Sequence, residues 1–169
     1  MNSANVEMTN HSYSAARIEW RLNQPFALSV KRLRSILKSI SQMKLLLYSK
    51  IGGAGCIEKY LKQIGGEMEL MILGTVRHGL VMSAMKGPKH AQMFLIGNPL
   101  TALSLMKIFK QAGVYAPMRI MFHDDGGDTT IITYDAPSKL FGQFDSPLFK
   151  KTGEMLEKKM ETVIRQIAV

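Results

Sequence analysis

Hydrophobic and polar residues alternate with period two over residues 16–22, where Ile18, Trp20 and Leu22 share one face and charged residues occupy the other. Strict alternation of this kind is typical of a strand with one buried face. In the next segment, from Phe26 to Ile40, apolar residues recur at three- and four-residue steps with Lys and Arg between them. This spacing predicts an amphipathic helix with a basic outer face.

Short apolar runs separated by Gly- and Pro-rich breaks make up the middle of the chain. Compact apolar runs predict strands, and three- and four-residue apolar spacing that ends at Gly predicts short helices. The predicted elements, in chain order, are a strand at 43–51, a helix at 56–64, a strand at 70–76, a helical turn at 79–85, a strand at 91–96 and a helix from about 102 to 113.

The last third of the chain carries the clearest signals. Two β-rich runs, 118–123 and 129–134, are joined by Asp-Asp-Gly-Gly-Asp, which predicts a β-hairpin because Gly tolerates the positive φ of such turns. Residues 148–168 have helical apolar spacing and predict a long amphipathic helix. Together the elements predict an α+β fold with a mostly antiparallel sheet covered by helices.

Composition limits the class of protein. The chain has 169 residues, of which 46% are hydrophobic and 21% charged, as expected of one globular domain. The single cysteine, Cys56, excludes an internal disulfide and fits a reducing compartment. Because no apolar run approaches the ~18 residues of a membrane span and no signal sequence is evident, we predict a cytoplasmic protein.

The formal charge of +9 is concentrated near the N-terminus, where residues 1–50 contribute +6. Residues 31–50 carry six positive charges and no negative one, including Lys31, Arg32, Arg34 and Lys38. This segment could contact nucleic acid or an anionic surface. The alternative is a solvated helix face, since only Tyr48 supplies an aromatic side chain there.

Several groups of residues have the side chains of a phosphate-binding or metal-binding site but lack the sequence spacing of the known motifs. The Gly-Gly-Ala-Gly segment at 52–55 lacks both the dinucleotide and the phosphate-loop pattern and favours a turn between a strand and a helix. The acidic hairpin turn lacks calcium-loop spacing. Histidines 78, 90 and 123 and the cysteine contain no closely spaced ligand pair, so neither a metal nor a cofactor is predicted.

One arrangement on the predicted strand from residue 118 is more specific. Period two places Arg119, Met121 and His123 on one face, opposite an apolar face. A face that bears Arg and His is either exposed to solvent or part of a polar pocket, in which the Arg could hold a carboxylate or phosphate.

Three strings resemble the Domain of Unknown Function 302 family, a group of small bacterial and archaeal proteins. They are FLIGNP at 94–99, APMRIMF at 116–122 leading into the acidic turn, and YDAP at 134–137. The resemblance covers most of the last 80 residues closely, and residues 43–87 mainly by element order.

The resemblance implies a strand, a helix, four strands and a helix, similar to one repeat of the TATA-binding protein, and often a homodimer. It implies no catalytic residues. On this basis residues 43–169 form the core domain, and residues 1–42 are an N-terminal extension with a disordered leader up to about residue 14, a strand and a basic helix.

Three functions remain open. The leading hypothesis is a non-enzymatic binding or homodimeric interaction module that holds a small anionic ligand near Asn98, His78, Arg119 and His123. The first alternative is a hydrolase-like enzyme with His123 or His78 as general base. The second is a protein that binds nucleic acid or an anionic surface through residues 31–50.

Overall fold

Five strands form one antiparallel sheet in the structure, a computed structural model that describes residues 7–87 and 89–169. The strands are β1 (Arg17–Leu22), β2 (Met71–Val76), β3 (Ala91–Gly97), β4 (Met118–Asp124) and β5 (Thr130–Asp135). Their order across the sheet is β1-β5-β4-β3-β2. Consecutive strands β2 to β5 are therefore neighbours, and β1 pairs with β5 at the edge, with Ile18 opposite Tyr134.

Helices precede, interrupt and follow the strands. They are α1 (Phe26–Ile36), α2 (Gln42–Ile51), α3 (Gly53–Gly65), α4 (His78–Ala84), α5 (Pro99–Met106), α6 (Pro137–Gly142) and α7 (Pro147–Ala168), with a 3-10 helix at Lys110–Tyr115. The α+β class with an antiparallel sheet is confirmed. None of the helices in the described ranges has the length and apolar character needed to cross a bilayer.

The main core lies between one face of the sheet and the helices α1 and α7. Leu33 of α1 and Val163 of α7 are fully buried in one cluster with Phe94, Ile120 and Ile132 of the central strands. Alternation along the strands provides this apolar face, as predicted for residues 16–22 and 118–123. A smaller cluster joins α2 and α3 to Met71 of β2.

The strand predicted at residues 43–51 is wrong, because this segment is helix α2. The Ser41 hydroxyl accepts a hydrogen bond from the Lys44 backbone N–H at 3.3 Å and caps the helix. On the inner side, the Tyr48 ring packs edge-on against Tyr60 of α3 at 5.5 Å between centroids. A continuous apolar run without alternation fits either a strand or a helix, and here the cap and the contact with α3 decide for the helix.

The turn predicted at residues 52–55 is confined to Gly52 and Gly53, so α2 and α3 meet almost directly. Gly52 ends α2, and Gly53, with φ of +59°, begins α3. Gly55 then continues inside the helix. Positive φ at one glycine is sufficient to redirect the chain, so the remaining glycines are free to be helical.

Other boundaries differ from the predictions in smaller ways. Helix α1 ends at Ile36 rather than at residue 40, because Leu37 is extended and Ser39 forms a parallel bridge to Ile72. The helix predicted from 102 to 113 is divided into α5 and the 3-10 helix. Helix α6 was not predicted.

The N-terminal segment contributes directly to the sheet and the core. Strand β1 pairs along β5, and Leu22, Leu33 and Leu37 belong to the main cluster. The predicted leader lies partly outside the described residues, whereas residues 7–16 precede β1 without helix or strand. In that stretch Tyr13 packs edge-on against Tyr115. The likeness to a repeat of the TATA-binding protein stays a prediction.

Candidate functional site

A cavity of about 330 Å³ opens where β3 ends and β4 begins. The short helix α5 forms one wall, the 3-10 helix exit at Tyr115 and Ala116 forms another, and Phe141 and Leu156 extend the lining from α6 and α7. The rest of the lining is almost entirely aliphatic: Leu73, Ile96, Ala102, Leu103, Leu105, Met106, Pro117 and Met118. A cavity of this size lies at the lower end of the ~300–1,000 Å³ range of small-molecule sites.

Asn98 lies at the edge of this cavity and has structural hydrogen bonds of its own. Its Oδ1 accepts from the Leu100 backbone N–H at 2.9 Å, so Asn98 is the N-cap of α5. Its Nδ2 donates to the backbone carbonyl of Glu69 at 3.0 Å. Pro99, with its fixed φ, occupies the first helical position. The Gly-Asn-Pro string therefore starts α5 and joins it to the loop before β2.

Asn98 and Thr101 also line a second, more polar groove of about 340 Å³. Lys62, Glu69 and Ser104 contribute to this groove. A hydrogen bond from the Lys159 ammonium, 2.5 Å away, lowers the pKa of Glu69. The apolar cavity and the groove thus share one rim, with hydrocarbon on one side and hydrogen-bonding groups on the other.

His78 and His123 come together at the other end of the sheet. They line a cavity of about 380 Å³ with Met82, Met121 and Asp124. The His123 Nδ1 lies 3.1 Å from the backbone carbonyl of Asp124. In residues 7–87 and 89–169, neither imidazole forms a hydrogen bond with a Ser, Cys, Asp or Glu side chain, so neither has the oriented partner of a general base.

The histidine that meets a carboxylate is His90, whose Nδ1 contacts the Asp124 Oδ2. Its ring stacks on Phe26 of α1 at 5.0 Å between centroids. The sequence pattern did not predict this pair. The pair depends on the register of the sheet. Ala91 pairs with His123, and this register places His90, the residue before β3, opposite Asp124, the last residue of β4.

Arg119 lies on the exposed face of the sheet, away from both Asn98 and the histidines. Its side chain is 65% exposed, and its Nη2 lies 3.9 Å from the Asp135 carboxylate on β5. The four predicted ligand-binding residues are therefore spread over three places, namely Asn98 at the apolar cavity, Arg119 on the open sheet face, and His78 with His123 at the far end.

The four basic residues predicted to contact an anionic partner make different contacts in the structure. Arg32 donates to the backbone carbonyls of Ile167 at 2.9 Å and Val169 at 3.0 Å, so it caps the C-terminus of α7. The Arg34 guanidinium lies 5.3 Å from the centroid of the Phe94 ring. Lys31 and Lys38 are exposed.

Within the described part of the chain, no three His, Cys, Asp or Glu side chains are grouped as a metal site requires. The residues around the apolar cavity that sequence reasoning missed, such as Ala102, Tyr115 and Leu156, come from distant parts of the chain. Because these residues meet only in the tertiary structure, no local sequence pattern predicts that they line one cavity.

Fold and cavity together define a small α+β domain, one antiparallel sheet backed by helices with an apolar cavity at the ends of two central strands. The chain belongs to the family described as domain of unknown function DUF302, whose model matches residues 57–167. The crystal structure of an uncharacterized conserved DUF302 protein from Bacillus stearothermophilus is similar, with a TM-score of 0.60 at 16% identity. The match covers 89% of this chain and 96% of that one and shows a common fold. No curated protein matches the sequence.

Proposed function

We propose that the protein is a binding module that holds a small, mainly apolar molecule in the cavity beside Asn98. The observation that supports this proposal most is the lining itself: about 330 Å³ of space is bounded by aliphatic and aromatic side chains. Ligand sites are typically concave and apolar, with a few polar groups that orient the ligand. Here those groups are Asn98, Thr101 and Tyr115.

The shared rim with the polar groove favours a ligand with one polar end. Such a molecule places its hydrocarbon part against Ala102 and Met106 and its polar group toward Thr101 and Lys62. An anionic group would meet the Lys62 ammonium, although Glu58 already pairs with it at 2.7 Å. The anionic ligand predicted from the sequence corresponds to such a molecule with an ionised polar end.

A thermal-shift titration with octanol, octanoate and decanoate tests the proposal. At about 100 times the dissociation constant, a bound ligand adds about 2.7 kcal/mol. For a chain of this length that is an increase in melting temperature of about 5–10 °C.

The variant Ala102→Phe fills the cavity and should abolish the shift. Ala54→Phe, at an exposed position of α3, introduces the same ring elsewhere and should keep it. Equal shifts in the two variants, or no shift with any of the three compounds in the unmodified protein, would remove the cavity as the binding site. Homodimerisation, which the family resemblance implies, stays a prediction that sedimentation equilibrium can measure directly.

A further inference from the structure

Helix α2 is apolar on two sides, and only one of them is covered. Leu45 and Tyr48 are partly buried against the small cluster around Tyr60 and Met71. No residue of α2 is fully buried. The opposite side, which we name the α2 face, consists of four large side chains at steps of three, one and four residues: Met43, Leu46, Leu47 and Ile51.

The α2 face is exposed along its whole length. Met43 is 76% exposed, Leu46 56%, Leu47 49% and Ile51 71%. A helix that is hydrophobic all round is normally buried. Contiguous exposed apolar side chains mark interaction sites more often than scattered ones do. The α2 face is thus suited to contact something outside the chain.

Charge around the α2 face identifies the kind of surface it fits. Between Glu19 and Glu58 the sequence contains no acidic residue. The exposed cations between residues 31 and 50 are Lys31, Arg34, Lys38, Lys44 and Lys50, whereas Arg32 is partly buried against the end of α7. Lys50 is three residues after Leu47 and four after Leu46, which places it on the α2 face itself.

We propose that the α2 face binds the surface of an anionic phospholipid bilayer. A short helix with exposed Leu, Ile and Met and neighbouring lysines has the composition of helices that lie in the membrane interface. The aliphatic stem of Lys50 can lie along the apolar residues while its ammonium reaches the phosphate groups. Anionic headgroups attract each nearby lysine as well.

Two other partners fit less well. A second copy of the chain on the same face would bring two sets of lysines together, and like charges oppose such an interface. Nucleic acid would contact the lysines through phosphates, but it would leave four apolar side chains uncovered.

A second exposed apolar group, Leu80 and Val81 of α4, provides a matched control. These side chains are 65% and 67% exposed. Helix α4 has only seven residues and contains no Lys or Arg of its own, although Arg77 precedes it and Lys86 and Lys89 follow it, whereas Lys44 and Lys50 lie within α2.

The test is flotation of the full chain with vesicles of phosphatidylcholine alone or of phosphatidylcholine mixed with phosphatidylserine. We expect binding to the phosphatidylserine vesicles that decreases with added salt, and little binding to phosphatidylcholine alone. The double variant Leu46→Ser/Leu47→Ser should reduce the partition coefficient by on the order of tenfold or more, because two leucines no longer enter the interface. Lys50→Gln should reduce it about fivefold. Leu80→Ser/Val81→Ser should leave it unchanged.

Far-ultraviolet circular dichroism and the melting temperature of each variant establish that it is folded. Leu46 and Leu47 belong to neither core cluster, so the helix content should match that of the unmodified protein, and the melting temperature should fall by only a few degrees because Ser is a weaker helix former than Leu. Absence of binding to phosphatidylserine vesicles would overturn the proposal, as would equal losses in the α2 and α4 variants. A change from dimer to monomer in Leu46→Ser/Leu47→Ser with vesicle binding intact would assign the α2 face to a second copy instead. Retention of DNA that depends on Lys50 but not on the leucines, without vesicle binding, would assign it to nucleic acid.

Discussion

Gly153 lies in the interior of α7, where glycine is an unfavourable helix residue, and replacing it with alanine tests why it is there. A Cβ at this position would lie 2.7 Å from the carbonyl oxygen of Pro137 and 2.9 Å from the Cα of Ser138. Both are backbone atoms of α6, so no side-chain rotation can relieve the contact. Ordinary contact requires about 3.4–4 Å, and α6 must therefore move away from α7.

The expected free-energy change is the difference between two opposing terms. Gly→Ala in a helix interior stabilises by about 1 kcal/mol, whereas overpacking a tight contact costs about 1–3 kcal/mol. Because the obstructing atoms are backbone, the upper part of this range applies, about 2–3 kcal/mol, and we expect Gly153→Ala to be destabilising by about 1–2 kcal/mol. At about 2–4 °C per kcal/mol for a chain of this length, the melting temperature should fall by about 2–8 °C.

Gly55→Ala is the matched control, since Gly55 is also helical and its Cβ would meet nothing within 4 Å. That variant should gain about 0.5–1 kcal/mol. Calorimetry of the two variants and the unmodified protein measures the expected decrease in melting temperature for Gly153→Ala and the expected increase for Gly55→Ala. If Gly153→Ala melts at or above the unmodified protein, the close contact of α6 and α7 is refuted, and with it the position of Phe141 in the cavity wall.

Three further predictions concern polar contacts. Ser29→Ala removes a fully buried hydroxyl that donates to Thr130 at 2.8 Å and should cost about 1–2 kcal/mol in urea unfolding. Asn98→Ala removes the cap of α5 and should cost about 1 kcal/mol and weaken ligand binding; unchanged stability would contradict the cap. Because the pKa of Glu69 is lowered, its pair with Lys159 stabilises above the usual pKa of 4.5 and is lost as the pH falls through the lowered value. Lys159→Met should therefore reduce the loss of stability on acidification, measured as melting temperature against pH.

Local pattern predicted most of the elements because most of them bury one face. Strand β1 and the β4-β5 hairpin have period-two alternation, and α7 has a long apolar stripe, so their faces can be recognised without knowledge of their partners. The segment 43–51 differs because it is apolar on two sides. Apolar residues on both sides leave no helical spacing of polar and apolar positions to recognise. The cap at Ser41 and the contact with Tyr60 favour the helix.

A local string indicated the position of the candidate site but not its chemical character. The Gly-Asn-Pro string marked the place where β3 ends, and a cavity lies there. Its apolar character could not be read from the string, because the lining extends from Leu73 to Leu156. The contact of His90 with Asp124 requires the register of β3 on β4, and these strands are joined by α5 and the 3-10 helix rather than by a tight turn whose type would set that register.

Methionine methyl signals offer the most direct test of ligand binding in the cavity. Of the thirteen methionines in the chain, Met106 and Met118 line this cavity, whereas Met43 and Met85 lie on other surfaces. In a titration with octanol followed by NMR of carbon-labelled methyl groups, the signals of Met106 and Met118 should shift together to saturation and should not shift in Ala102→Phe. Shifts that persist in Ala102→Phe, or the absence of any shift at Met106 and Met118, would contradict the account.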